Sequence, residues 1–245
     1  MSSQNPLPTK KESRRFDIVF EDVCMRYPNG NEALKDVNLT ISQGEFVFIV
    51  GKSGAGKTTL TKLLMCEERI SSGSLRIGPY KLEKLPRRRI PYLRRKMGVV
   101  FQDFRLFDNR TAYDNIAFAL RVTGESKRVI ERRVPYFLNV VGLKDKASSY
   151  PSEMSGGEKQ RIAYARALVN NPYIVIADEP TGNIDPEMSR ELLDMLVTIN
   201  NLGKTVIVVT HEKDLVDRYR KRVVTIDDGC VVSDRIGGGY VETDK

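Results

Sequence analysis

Nine consecutive residues constrain this chain more than any other segment: Gly51, Lys52, Ser53, Gly54, Ala55, Gly56, Lys57, Thr58 and Thr59. They follow the apolar run Phe46–Val50 and match the phosphate-binding pattern G-x-x-x-x-G-K-[ST] at Gly51, Gly56, Lys57 and Thr58. Glycines let the backbone curl so that successive N–H groups face a polyphosphate. In this pattern the lysine reaches the β and γ phosphates, and the threonine hydroxyl ligates Mg²⁺. The segment predicts a strand, a phosphate-binding loop and a helix over residues 58–65, with a nucleoside triphosphate as ligand.

Length and composition allow one large α/β domain. A chain of 245 residues can bury a sizeable core, and 40% hydrophobic with 29% charged residues is ordinary for a globular protein. No apolar run approaches the roughly 18 residues that cross a bilayer. Residues 1–15 are polar and predict a disordered tail without a signal peptide. Cys24, Cys66 and Cys230 lack metal-ligand spacing, which favours reduced thiols.

The formal net charge of +8 favours an anionic neighbour. Basic residues cluster at 87–89 and 94–96 and again at 218–222. Nucleic acid, acidic lipid head groups and the nucleotide itself all carry the required charge, while a solvated face is the alternative for any run of like charges. The chain lacks an aromatic-basic recognition motif, so no specific nucleic acid is expected.

The pattern of apolar residues changes along the chain. The first third alternates apolar and polar residues, which predicts antiparallel strands on either side of a turn at residues 28–31. The runs Phe46–Val50, 173–177 and Thr205–Val209 are almost continuously apolar, as strands buried on both faces of a parallel sheet are. Residues 111–150 predict a helical insertion with breaks near Pro135 and Gly142, and residues 223–232 predict a hairpin.

Polar residues follow the buried strands at the edge where parallel sheets bind ligands. Asp178 and Glu179 come after the 173–177 run. We expect Asp178 to hold the Mg²⁺ shell and Glu179 to act as general base on an attacking water, although an Asp-Glu pair can also simply cap a turn. His211, the only histidine, follows the Thr205–Val209 run, and as a neutral imidazole it can donate to a γ-phosphate oxygen.

Two further residues are candidates for the site because the phosphate loop and the strand-end residues are present in the same chain. Gln102 follows the predicted strand Met97–Phe101, and its amide oxygen can complete the Mg²⁺ shell. Tyr27 lies thirty residues before Lys57 and can stack on an adenine base, with an ordinary strand aromatic as the alternative.

A second glycine segment contains the residues Ser155, Gly156, Gly157 and Glu158. It precedes a helix with an apolar face, so its free backbone N–H groups predict a second anion site. Two phosphate-binding segments for one nucleotide make sense if the second serves a partner subunit.

Together these residues resemble the ATP-binding-cassette ATPases over residues 16–240. In that family a phosphate loop, a glutamine, an S-G-G signature, an Asp-Glu pair and a histidine occur in this order, here Lys57, Gln102, Ser155, Glu179 and His211. The resemblance implies a P-loop nucleotide-binding domain of the α/β class, with a mixed central sheet and an N-terminal antiparallel β-subdomain. It also implies an inserted helical subdomain at about residues 103–170, within a single domain over residues 16–245. Residues 182–185 resemble the loop that communicates across the dimer.

The family resemblance also implies cofactors and partners. ATP and Mg²⁺ would bind between two copies packed head to tail, with Ser155 of one copy facing the γ-phosphate held by Lys57 of the other. Residues 90–122 are similar to the cell-division branch of the family, which implies a transmembrane partner bound in a groove beside the helical insertion. The location implied is the inner face of the cytoplasmic membrane. The energising subunit of an exporter and a soluble nucleic-acid-acting cassette are the alternatives.

Overall fold

The computed structural model describes residues 15–181 and 185–238. The predicted tail, apart from Arg15, lies outside the described residues. So do Gly182, Asn183 and Ile184 of the predicted dimer-communication loop.

The described residues form ten strands and seven α-helices. The strands are β1 (Ile18–Arg26), β2 (Glu32–Ile41), β3 (Phe46–Val50), β4 (Ser72–Ile77), β5 (Tyr80–Lys81), β6 (Met97–Phe101), β7 (Ile174–Asp178), β8 (Thr205–Val209), β9 (Arg222–Asp227) and β10 (Cys230–Arg235). The helices are α1 (Lys57–Leu64), α2 (Ile90–Arg94), α3 (Ala112–Val122), α4 (Lys127–Val140), α5 (Gly156–Leu168), α6 (Pro186–Asn201) and α7 (Lys213–Tyr219).

Two sheets confirm the predicted change of pattern. The first is antiparallel, in the order β2-β1-β4-β5, and its strands alternate between buried and exposed residues. The second is mixed, in the order β10-β9-β3-β8-β7-β6, with every neighbouring pair parallel except β10 and β9. All five residues of β3 are buried, as a strand covered on both faces requires. The strand predicted at 173–177 is instead Ile174–Asp178, so both ends lie one residue later and Asp178 is its last residue.

The mixed sheet separates two cores. On one face Val47 and Ile49 pack with Leu60 and Leu63 of α1 and with the antiparallel sheet. On the other face Phe48 packs with residues of α5, α6 and α7. Helix α1 is therefore enclosed between the two sheets, which fixes the loop that precedes it.

The helical insertion differs from prediction at one point. Helix α4 continues through Pro135, where a break was expected, and the chain breaks instead at residues 123–126, where Gly124 has φ +81°. Proline at this position removes only one N–H donor, and the buried stripe Ile130, Val134 and Leu138 packs on both sides of it. The predicted break at Gly142 is confirmed, since α4 ends at Val140.

The carboxyl-terminal hairpin is also confirmed. Strands β9 and β10 pair antiparallel around Asp228 and Gly229. Among the described residues, no helix combines the length and the apolarity needed to span a bilayer.

Candidate functional site

The phosphate loop joins β3 to α1 and is packed too closely to accept side chains. A Cβ atom added to Gly51 would lie 2.1 Å from the Ile226 carbonyl oxygen, and Gly51 has φ +154°. A Cβ atom added to Gly56 would lie 2.5 Å from the Ala33 carbonyl oxygen. Glycine at these two positions lets the loop rest against β9 and β2, which sets its curvature before any ligand binds.

Lys57 is folded back onto its own loop. Its Nζ donates to the carbonyl oxygens of Gly51 at 2.6 Å and Lys52 at 3.0 Å. Burial lowers the pKa of the Lys57 ammonium, and the carboxylates of Glu179 and Asp178 oppose that shift. A buried ammonium bonded only to carbonyl oxygens gains a full counter-charge when a phosphate arrives.

The two carboxylates at the end of β7 lie in different surroundings. Burial, and then the neighbouring Glu179, raises the pKa of Asp178, while Lys57 opposes the shift. Glu179 leaves the strand with φ +47°, a conformation that non-glycine residues rarely adopt, and its N–H donates to the Val209 carbonyl at 2.8 Å. The chain therefore turns away from the direction of β7 at the residue that follows Asp178.

His211 lies beside Glu179 because β8 neighbours β7 in the sheet. Its Nδ1 is 2.9 Å from both carboxylate oxygens of Glu179. An ionised carboxylate only accepts, so Nδ1 carries the proton and Nε2 of a neutral ring has none. The expected donation from a neutral His211 to a phosphate oxygen thus requires that the contact with Glu179 first be exchanged.

One cleft of about 510 Å³ brings most of the predicted residues together. Its lining includes Tyr27, Ser53, Gly54, Gly56, Lys57, Thr58, Thr59, Gln102, Asp178, Glu179 and His211. The Tyr27 hydroxyl lies 3.2 Å from Thr59 Oγ1, which holds the ring at the cleft wall. Stacking on adenine stays a prediction for Tyr27.

The second glycine segment, Ser155, Gly156, Gly157 and Glu158, does not line this cleft. Ser155 is the N-cap of α5: its Oγ accepts from the Glu158 N–H at 3.2 Å, while the Ser155 N–H donates to Glu158 Oε2 at 2.8 Å. This backbone donor lowers the pKa of Glu158. A Cβ atom on Gly157 would lie 2.8 Å from the Met188 methyl of α6, so α5 and α6 are in close contact there. The segment predicted as a second anion site is therefore a capped helix end that lies outside the cleft.

Sequence reasoning missed Gln160. This residue is 1% exposed, its Nε2 donates to the Pro180 carbonyl at 2.6 Å, and its Oε1 has no hydrogen-bond partner among the described residues. It connects α5 to the turn that carries Glu179. The only sequence signal is a glutamine on the apolar side of a helix.

A second cavity, of about 520 Å³, lies between the helical insertion and the chain after β6. It is lined by apolar and basic residues, among them Phe101, Arg105, Phe118, Val122 and Arg166. Arg166 donates to the carbonyls of Phe104 at 2.7 Å and Arg105 at 2.5 Å, which fixes the loop that follows Gln102. We call this cavity the groove.

Comparisons with known proteins found similar sequences and similar folds. The family model described as ABC transporter matches residues 34–182. The cell division ATP-binding protein FtsE of Streptococcus pneumoniae is 48% identical over 223 residues, 91% of this chain and 97% of the relative. FtsE of Bacillus subtilis is 48% identical over 223 residues, with 91% and 98% covered. One similar solved structure is the dimeric post-hydrolysis state of the ATP-binding cassette MJ0796 bound to ADP and Pi. Its TM-score is 0.82 at 34% identity, and the match covers 91% of this chain and 100% of that chain.

Proposed function

Because this chain belongs to the ABC transporter family and is an ATPase, we propose that it is the ATP-hydrolysing subunit of a membrane complex resembling FtsEX that acts in bacterial cell division. The observation that carries this proposal is the identity of 48% to proteins named FtsE across 91% of the chain. Similarity of that extent covers the cleft, the helical insertion and the groove together, rather than the phosphate loop alone.

Each cleft residue has a proposed role that its surroundings support. Lys57 binds the β and γ phosphates, and Glu179 takes the proton of the attacking water while His211 keeps the carboxylate in place. Thr58, Gln102 and Asp178 offer the hydroxyl, amide and carboxylate oxygens that suit Mg²⁺, and all three line the cleft. When bound, Mg²⁺ neutralises developing charge on the phosphates.

The position of Ser155 supports a head-to-tail dimer. Ser155 and Gly156 are exposed at the start of α5 but lie outside the cleft. A second copy brings such a helix end to the open side of the cleft, where its N–H groups meet a phosphate. The solved neighbour MJ0796 is described as dimeric and bound to ADP and Pi, which agrees with nucleotide held between two copies.

The groove is the proposed seat of a transmembrane partner resembling FtsX. It exposes Phe107 and Val122 between basic residues, a combination that suits a short helix from a membrane protein. Through that partner the chain is held at the inner face of the cytoplasmic membrane, and ATP-driven dimerisation regulates cell-wall hydrolases on the other side. No specific nucleic acid enters this proposal.

An exporter or lipoprotein-release ATPase is the second candidate. The matching family model is described as ABC transporter, and cleft chemistry is the same whether or not a solute moves.

One experiment separates the two candidates. The gene is replaced by its Glu179→Gln variant, and the protein is captured with its membrane partner by a tag on the chain. We expect blocked division and co-purification of a protein without a substrate pocket. Normal division, together with capture of a permease, would refute the proposed function in favour of export.

A further inference from the structure

One surface segment holds almost the whole of the formal net charge of +8. Residues 84–96 contain seven basic residues and no acidic residue. The basic residues are Lys84, Arg87, Arg88, Arg89, Arg94, Arg95 and Lys96. We call residues 84–96 the basic ridge. Uncompensated charge at this density attracts anions over about a Debye length.

The basic ridge is anchored at both ends. Leu85 and Leu93 are buried, and Arg94 donates from Nε to the Met65 carbonyl at 2.8 Å, just after α1. Arg95 donates to the Val122 carbonyl at 3.3 Å. These two arginines therefore have structural roles, and they fix the orientation of the turn between the two leucines.

The three arginines of that turn have no such role. Arg87, Arg88 and Arg89 are exposed, and their side chains form no ion pair or hydrogen bond with the residues that the structure describes. The fold gains nothing from three adjacent like charges, so their charge is available to a ligand.

A concave site lies beside these arginines. Tyr80, Arg88, Arg89 and Tyr92 line a cavity of about 490 Å³. Tyr92 is 57% exposed, and the Arg95 guanidinium carbon lies 5.1 Å from the centre of its ring. Two guanidinium groups beside the exposed Tyr92 and the half-buried Tyr80 suit a phosphate group at the boundary between water and an apolar phase, where tyrosine is enriched.

The ridge is continuous with the groove, since Pro91, Arg94 and Arg95 line the groove while Arg88, Arg89 and Tyr92 line the cavity next to it. We propose that the basic ridge binds an anionic lipid surface directly, with a lipid phosphate between Arg88 and Arg89 and Tyr92 at the level of the head groups. The placement rests on the proposed function, because a membrane partner in the groove brings the ridge to the bilayer. Nucleic acid shares the phosphate chemistry but gives no reason for the ridge to border the groove.

The test uses the purified full chain and sedimentation with vesicles. Vesicles of phosphatidylcholine alone are compared with vesicles that also contain phosphatidylglycerol. We expect binding only to the second, weakened by salt and insensitive to free inorganic phosphate at the same phosphate concentration. The variant with Arg87→Gln, Arg88→Gln and Arg89→Gln should bind about a hundredfold more weakly, from roughly 1 kcal/mol per cation near the surface.

A matched control removes three exposed cations from α4, with Lys127→Gln, Arg128→Gln and Arg132→Gln, and we expect it to bind within a few-fold of the wild type. Both variants should keep wild-type ATPase activity, which shows that they are folded. Equal binding to both vesicles, or equal losses in both variants, would overturn the proposal. Tighter binding to DNA than to the anionic vesicles would assign the ridge to nucleic acid instead.

The outcomes for the ridge and for the proposed function are separate. If the chain captures a membrane partner but binds no vesicle, the ridge proposal fails and the proposed function stands. If it binds anionic vesicles but captures no partner, the proposed function fails and direct lipid binding stands.

Discussion

The Nδ1 atom of His211 lies 2.9 Å from both carboxylate oxygens of Glu179, across two neighbouring strands of the sheet. Glu179 is only 17% exposed, whereas His211 is 67% exposed. The histidine thus covers the carboxylate from the solvent side. A carboxylate that is held in this way keeps its orientation, and as the proposed base it has to exchange one contact when a water molecule and a phosphate enter the cleft.

Replacing the proposed base tests that role. Glu179→Gln keeps the size and one oxygen of the side chain but removes its ability to accept a proton at neutral pH. We expect kcat for ATP hydrolysis to fall by about a hundredfold or more, with nucleotide affinity within a few-fold of the wild type. Steady-state ATP hydrolysis and equilibrium binding of a fluorescent ATP measure the two quantities. Unchanged turnover would remove Glu179 from the mechanism.

The His211 contact predicts a result for the double variant. If the two residues act as one unit, His211→Ala lowers kcat, and adding it to Glu179→Gln lowers kcat by less than about threefold more. Independent roles would multiply the two losses. The comparison needs the four proteins of a double-mutant cycle, with Glu212→Ala, next to His211, as a neighbouring change that leaves this contact intact.

The elements that are set by local pattern could be predicted, and those set by packing could not. The strand, loop and helix around Lys57 follow from a contiguous motif, and β3 and β8 follow from continuous apolar runs. Helix α4 was predicted to break at Pro135 because local rules favour a break, but the packing of Val134 and Leu138 outweighs one missing hydrogen bond.

The candidate site shows the same division. Asp178 and His211 could be found because each lies at or just after the end of a buried strand, and strand order then brings them to one edge. The contact between Gln160 and Pro180 depends on how α5 lies against the mixed sheet, which no local pattern encodes. The left-handed conformation of Glu179 could not be predicted either, because glutamate has no preference for it.

Gln160 is expected to position the turn that carries Glu179. Gln160→Met removes the donor to the Pro180 carbonyl but also the unpartnered buried Oε1, so we expect the free energy of unfolding to change by less than about 1 kcal/mol. The turn loosens, and kcat falls about tenfold with little change in KM. Arg161→Met on the same helix, which loses an ion pair to Glu191 at 3.3 Å, should keep kcat within twofold. Equal kcat values for the two variants would contradict a positioning role.

Gly51 should tolerate no side chain even without nucleotide. Gly51→Ala places a methyl group 2.1 Å from the Ile226 carbonyl oxygen. We expect a loss of about 3 kcal/mol or more in the free energy of unfolding, or roughly 10 °C in Tm. Gly203→Ala is the matched control, because Gly203 also has positive φ (+82°) but has open space around it. Gly203→Ala should lower the free energy of unfolding by about 1 kcal/mol. Equal losses at the two positions would show that backbone strain alone, and not the contact with Ile226, determines the destabilisation.

Tyr219 makes the free energy of unfolding depend on pH within a defined alkaline range. Its hydroxyl donates to Asp194 Oδ1 at 2.8 Å and joins α7 to α6. Burial, and then that hydrogen bond, raises the pKa of Tyr219 from 10.0 to about 12. A raised pKa in the folded state means that the stabilisation is complete below pH 10.0 and is lost as the pH rises towards about 12.

Tyr219→Phe should therefore lower the free energy of unfolding by about 1 kcal/mol near neutral pH. Its difference from the wild type, measured by urea unfolding, should shrink over that alkaline range. Tyr136→Phe, at an exposed tyrosine whose hydroxyl has no partner among the described residues, should show no such trend. A difference for Tyr219→Phe that stays constant with pH would mean that Asp194 does not hold the phenol proton.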